Sequence, residues 1–150
     1  RHLSARDRVN AAHLTAGELL ARKHLYSALP ELIAVAPGET VRQAANLLLV
    51  YNLSQLPVLE RGRMVGSIHQ RTLLRLGDRL PGTLAGQVRA IMEKPLETAT
   101  EKADYSSILD QLTRDSSAVV VTRDGNAVGI LTAADAIEPW LNNLADGYSI

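Results

Sequence analysis

SAVVVTRDGNAVGILTAADAI, residues 117–137, reads as a short apolar run, a tight turn at Asp124-Gly125, a second apolar run interrupted by Gly129, and then a helix start. A weaker copy, SQLPVLERGRMVGSIHQRTLL, stands 63 residues earlier at 54–74. The two align without a gap and coincide at Ser54/Ser117, Val58/Val121, Gly62/Gly125, Val65/Val128 and Gly66/Gly129. These are turn and strand positions, where backbone geometry tolerates few residue types, so the chain is read as an internal repeat of a hairpin feeding a helix. Gly62 and Gly66 are expected at turn and bulge positions and not in a phosphate loop, because no helix starts directly after them.

The bulk composition excludes several function classes. A chain of 150 residues with 46% apolar side chains is an ordinary globular composition. Sixteen basic and sixteen acidic residues cancel, so no net field draws the surface to nucleic acid or membrane. With four Tyr, one Trp and no Phe, stacking platforms for single-stranded nucleic acid are few. The absence of Cys removes disulfides, thiolate nucleophiles and sulfur-ligated metals, and fits a cytoplasmic chain. No apolar run approaches the roughly 20 residues of a membrane-spanning helix, and no secretory segment opens the chain. A first residue of Arg, not Met, points to a piece of a longer protein.

Residues 1–13 read as a solvated connector, 14–80 as a first repeat and 81–150 as a second, each with a lead-in helix. The first lead-in begins at Thr15 with a capping-box pattern to Glu18 and ends in basic Arg22-Lys23; the second is expected over 83–92 and stopped by Pro95. A short strand is expected at 32–35 and a turn at Pro37-Gly38. A helix follows over 40–52, with Val41, Ala44, Ala45 and Leu48 at the spacing of a buried face. Its end, 47–51, is apolar nearly all round and predicts burial on two sides. Tyr105, Ile108, Leu109 and Leu112 repeat that spacing. Strands at 118–122 and 127–131 and a helix from 133 to about 144, carrying Trp140 and Leu141, complete the second repeat. Each half is β-α-β-β-α and is too small to be comfortable alone, so the two are expected to pack sheet to sheet about a pseudo-twofold axis and unfold together.

An L-P-V run before the turn and a G-h-h-T-x-x-D run after it resemble the CBS domain, which occurs in tandem pairs called Bateman modules. The likeness spans about 14–144. Ser27-Ala28-Leu29-Pro30, Glu39-Thr40-Val41 and Leu53-Ser54-Gln55-Leu56-Pro57-Val58 look most like the C-terminal regulatory module of cystathionine β-synthase. The resemblance implies a regulatory module without catalytic residues, controlling an attached pyridoxal-phosphate enzyme. The implied ligand is S-adenosylmethionine or an adenine nucleotide, AMP, ADP or ATP. Carried over position by position, Thr132 and Asp135 would hold the ribose, and Ser27, Ala28, Leu53, Gln55, Val128, Ile130 and Leu131 would surround the adenine. An ionised Asp can accept from both ribose hydroxyls. The first repeat has His69 and Thr72 at the matching positions, so its ribose carboxylate is absent and one ligand per chain is expected.

Simpler readings stand beside these. Thr132 and Asp135 also suit a helix N-cap with an acidic first turn. The four histidines show no metal spacing, and His69 reads as a polar rim residue. Arg71 and Arg75 fit a solvated helix face, although Arg71 and Arg123 are the nearby candidates for a phosphate. Lys23, Lys94 and Lys102 sit in polar or helix-end settings, unlike a Schiff-base Lys, and autonomous catalysis is not expected. The rival functions are a ligand-free CBS pair serving oligomerisation or interaction, and a nucleotide sensor of another parent protein. A homodimer is expected, through the surface helices 40–52 and 103–114 or their C-terminal counterparts.

Overall fold

The computed structural model describes residues 10–114 and 118–141. Most of the expected connector, Ser117 and the end of the helix expected to reach 144 lie outside them. In chain order the elements are α1 (Ala16–Tyr26), α2 (Val41–Val50), β1 (Gln55–Glu60), β2 (Arg63–His69), α3 (Gln70–Leu76), α4 (Leu80–Thr83), β3 (Glu97–Thr100), α5 (Tyr105–Thr113), β4 (Ala118–Arg123), β5 (Asn126–Thr132) and α6 (Ala133–Leu141). The mixed α/β class is as the sequence predicts.

Packing is not in chain order. Of the described residues, 10–28, 97–124 and 128–141 form one compact unit, and 29–96 with 125–127 form another. A division at 80/81 therefore cuts across the packing, because each lead-in segment joins the hairpin of the other repeat. They are called here the α1 unit and the α2 unit.

In the α1 unit the sheet order is β3-β4-β5. β3 runs parallel to β4, with Glu97 opposite Val119 and Thr100 opposite Thr122, and α5 makes the crossover that a parallel pair requires. Helix α1 starts where the sequence predicts: the Thr15 hydroxyl accepts from Glu18 N–H while the Glu18 carboxylate accepts from Thr15 N–H. It runs on to Tyr26, beyond the basic pair expected to end it. Leu19, Leu20, Ile108, Val119, Val121 and Leu131 form the core. Each large aliphatic side chain fully buried there contributes about 1.5–3 kcal/mol. Residues 10–13 are not a free connector, since they form a 3-10 turn in which Ala11 is buried.

In the α2 unit β1 and β2 pair antiparallel from Gln55/His69 to Glu60/Arg63. Val58 faces Gly66 and Leu59 faces Met64, so the bulged residue is Val65, not the expected Gly66. Gly66 is required for another reason: Met92 and Glu93 pass directly over it. The 32–35 strand reduces to one parallel bridge between Val35 and Val58, too short to extend between Pro30 and Pro37. The second lead-in is not one helix over 83–92. It is α4, a turn closed by Gly86 N–H on the Thr83 carbonyl, and a 3-10 turn at Val88–Ala90. Gly86, a poor helix former, stands at the break. Helix α2 has its own capping box, Thr40 with Gln43, and buries Val41, Ala44 and Leu48. Its expected second buried side is not met, for Leu49 and Val50 are 77% and 75% exposed.

Candidate functional site

Strand β5 ends at Thr132 and α6 begins at the next residue, so Asp135 sits in the first turn of a helix. Its carboxylate reaches back to the Thr132 N–H at 2.8 Å and accepts from the Thr132 hydroxyl at 3.2 Å. Cap and candidate site are one structure. Lys23 of α1 donates from Nζ to Asp135 Oδ2 at 2.9 Å and to the Ile130 carbonyl at 2.8 Å, and the Tyr26 hydroxyl donates to Asp135 Oδ1 at 2.6 Å. Lys23 and Tyr26 are three apart on α1, hence on one face of it.

A second rung lies one turn along. Arg22 grips Glu138 of α6 through Nε and a terminal nitrogen, at 2.9–3.2 Å. Two basic and two acidic groups thus close α1 onto α6 with no surplus charge. The carboxylates are the deeper partners: Asp135 is 4% and Glu138 8% exposed, against 14% for Lys23 and 18% for Arg22. Lys23 thus has the polar helix-end setting expected from sequence, in the last turn of α1, and serves there as a half-buried counter-ion. Burial first, and then the bond to Asp135, pushes the Tyr26 phenol well above its ordinary value, so it remains a donor.

The α1 unit holds seven of the nine expected ligand residues: Ser27, Ala28, Val128, Ile130, Leu131, Thr132 and Asp135. Leu53 and Gln55 belong to the α2 unit, the first half-buried and the second buried. Thr132 and Asp135 are in contact, and Lys23 ties Ile130 to them. Ala28 is exposed, and Ser27, Val128 and Ile130 are half-buried. The Leu131 side chain is wholly enclosed in the core, because alternate residues of β5 face opposite ways.

The matching place in the α2 unit is built differently. The Thr72 hydroxyl donates to Glu93, and Arg71 lies 4.0 Å from the same carboxylate. Glu93 is held over β2 by paired backbone bonds with Ser67, of 3.0 and 2.8 Å. A carboxylate therefore does reach this place, supplied by the second lead-in. His69 is buried, not a rim residue, with Nε2 3.0 Å from the Ser67 hydroxyl, which itself donates to the Lys94 carbonyl. Burial, followed by the charge of Arg71, holds His69 below its ordinary pKa. Arg71 and Arg123, the candidates for phosphate, are both ion-paired. Arg123 forms two-point contacts of 3.0–3.1 Å with Glu101, whose carboxyl it holds below the usual range.

The expected pair Thr132 and Asp135 is thus joined by Lys23 and Tyr26, with Arg22 and Glu138 beside them and Glu93 at the matching place, five residues to which the sequence assigns no site role. The available signal was the basic pair Arg22-Lys23 against two carboxylates one turn apart, Asp135 and Glu138. It is readable only once α1 is known to pack on α6.

Among proteins of related sequence, an uncharacterized protein of Mycobacterium tuberculosis is 28% identical over 120 residues, covering 78% of this chain and 34% of the relative. Inosine-5′-monophosphate dehydrogenase of Methanocaldococcus jannaschii is 26% identical over 113 residues, covering 73% of this chain and 22% of that enzyme. The chain spans about a third or less of the length of these relatives. Among solved structures, CBSX2 in complex with AMP superposes with a TM-score of 0.71 at 22% identity, covering 87% of this chain and 98% of that one. The CBS domain of a bacterial CNNM/CorC family Mg2+ transporter in complex with ATP gives 0.70 at 22% identity, covering 90% and 92%. These two establish the fold. The CBS domain model itself matches twice, at residues 16–78 and 88–140, so the chain belongs to the CBS domain family as a tandem pair.

Proposed function

We propose that this chain is a regulatory module that binds one adenine nucleotide, with Asp135 as the acceptor for the ribose hydroxyls, and so controls a domain attached to it. CBS domains are regulatory modules rather than catalysts. The observation that carries the reading is a buried, cation-balanced carboxylate at the β5–α6 junction, next to the Thr132 hydroxyl. Two similar folds have been solved with AMP or ATP, which supports the ligand class. S-adenosylmethionine and a cystathionine β-synthase parent rest on the short-stretch resemblance alone, and the relatives above lend them nothing. The same proposal places the module in the cytoplasm as a homodimer, whose motive is the exposed apolar set Leu49, Val50 and Leu74 on α2 and α3.

Calorimetric titration with AMP, ADP, ATP and S-adenosylmethionine tests the reading. One site per chain is expected for a nucleotide, lost in Asp135→Asn and kept in Thr72→Ala. At about 100 times its dissociation constant the ligand should add about 2.7 kcal/mol to stability. A stoichiometry of two, or undiminished binding by Asp135→Asn, would refute it.

One observation favours a second reading, the ligand-free interaction module: Asp135 already has four donors from its own chain. Absence of heat with all four ligands would decide for it.

A further inference from the structure

We infer that Tyr26 is a gate on the ribose acceptor, an internal competitor that a nucleotide displaces in order to bind. The inference rests on the reading of Asp135 given above and adds to it a residue that sets affinity and a segment that moves.

A carboxylate offers about four acceptor positions. Asp135 Oδ2 is taken by the Lys23 ammonium, the Thr132 N–H and the Thr132 hydroxyl, and Oδ1 by the Tyr26 hydroxyl. A ribose diol donates two hydrogen bonds, and only one position on Oδ1 remains. One internal donor must leave, and the four differ in how readily they can. The two donors of Thr132 are fixed by the β5–α6 junction. Lys23 neutralises a carboxylate that is 4% exposed, and its removal would leave that charge buried and unpaired. Tyr26 is neutral, 42% exposed and the last residue of α1. Its departure opens both positions on Oδ1 while the Lys23 pair keeps the carboxylate ionised. The turn it ends carries the Ser27 N–H on the Lys23 carbonyl and lies at the helix terminus, where intrahelical bonds run out. Ligand binding therefore releases only the Tyr26 end of α1 from Asp135, while Lys23 and Arg22 keep the helix on α6.

Tyr26→Phe keeps the ring and deletes the competing donor. Calorimetric titration with AMP and with ATP should show binding to Tyr26→Phe tighter than to the unmodified chain by about tenfold, the worth of one bond to a charged acceptor. Hydrogen exchange at the amides of 24–28 should quicken in the unmodified chain on saturation with AMP. Equal or weaker binding by Tyr26→Phe, or exchange at 24–28 slowed by AMP, would overturn the gate. Loss of binding in Asp135→Asn beside an unchanged Tyr26→Phe would retain the ribose site and remove only the gate. Undiminished binding by Asp135→Asn would remove both.

Discussion

Gly129 of β5 lies directly against Leu20 of α1, so closely that a Cβ added to the glycine would come within 2.5 Å of both Leu20 methyl carbons. Gly66 of β2 stands in the same relation to the other lead-in, with Met92 Sδ at 2.7 Å and the Glu93 carbonyl oxygen at 3.0 Å from its added Cβ. Each repeat thus keeps one bare backbone position where a lead-in segment from elsewhere in the chain can seat. Gly129→Ala and Gly66→Ala should each lower stability by about 1–3 kcal/mol, the usual penalty of overpacking. Gly66→Ala should be the worse, since a carbonyl cannot rotate aside as Leu20 can. Urea denaturation measures both, and a loss below about 0.5 kcal/mol would mean that the lead-in segments lift without resistance.

That contact also marks where the sequence stopped being informative. The hairpins, their turns and the caps at Thr15 and Thr40 were legible because each is specified within a few residues of itself. Which lead-in joins which hairpin is specified by surfaces far apart in the chain, Leu20 with Gly129 and Met92 with Gly66, and no local period reports it. The site divides in the same way. Thr132 and Asp135 form a local motif, while Lys23 and Tyr26 reach them from a helix that reads as part of the other repeat. Glu93 reaches Thr72 from 21 residues away in the chain, so no local motif announces its carboxylate. The core burial of the Leu131 side chain is likewise not legible from a resemblance, which transfers positions without saying which way a side chain faces.

The Lys23–Asp135 pair should prove structurally expensive to break. Lys23→Met removes the counter-charge from a carboxylate that is 4% exposed and should destabilise the chain by about 3–5 kcal/mol. Arg123→Met, at a pair whose arginine is 61% exposed, should change stability by less than about 1 kcal/mol. Thermal or urea melts of the two variants give the comparison. Similar small losses in both would show that water screens Lys23 and Asp135 as it does the surface pair.

Both hairpin turns put two successive residues at positive φ, Arg61-Gly62 at 54° and 83° and Asp124-Gly125 at 53° and 81°. That geometry is the type I′ turn, whose first position favours Asn, Asp or Gly, and Arg61 is an exposed residue without that preference. Arg61→Asn should therefore stabilise the chain, by about 0.5–1 kcal/mol. The same substitution at the other turn, Asp124→Asn, should be nearly neutral. A destabilised Arg61→Asn would indicate that the arginine side chain makes a contact worth more than the backbone preference.

His69 should make stability depend on pH near neutrality. Its ring is buried at the end of β2, against the Ser67 hydroxyl, with Arg71 opposing its protonation and Glu93 favouring it. Burial is the largest influence and Arg71 the next, so the folded chain holds the ring neutral to lower pH than the unfolded chain does. Between the lowered folded value and about 6.5, the unfolded state then carries more protons, and linkage requires stability to rise with pH across that window. The stabilisation is fully present above about 6.5 and is lost as pH falls through the folded value. Carboxylates also titrate at the acidic end, so the quantity to measure is the difference between the chain and its His69→Gln variant. Urea midpoints taken from pH 7.5 to 5 should fall more steeply for the unmodified chain than for His69→Gln. Parallel slopes, or a steeper fall in the variant, would show that the buried ring is as readily protonated folded as unfolded.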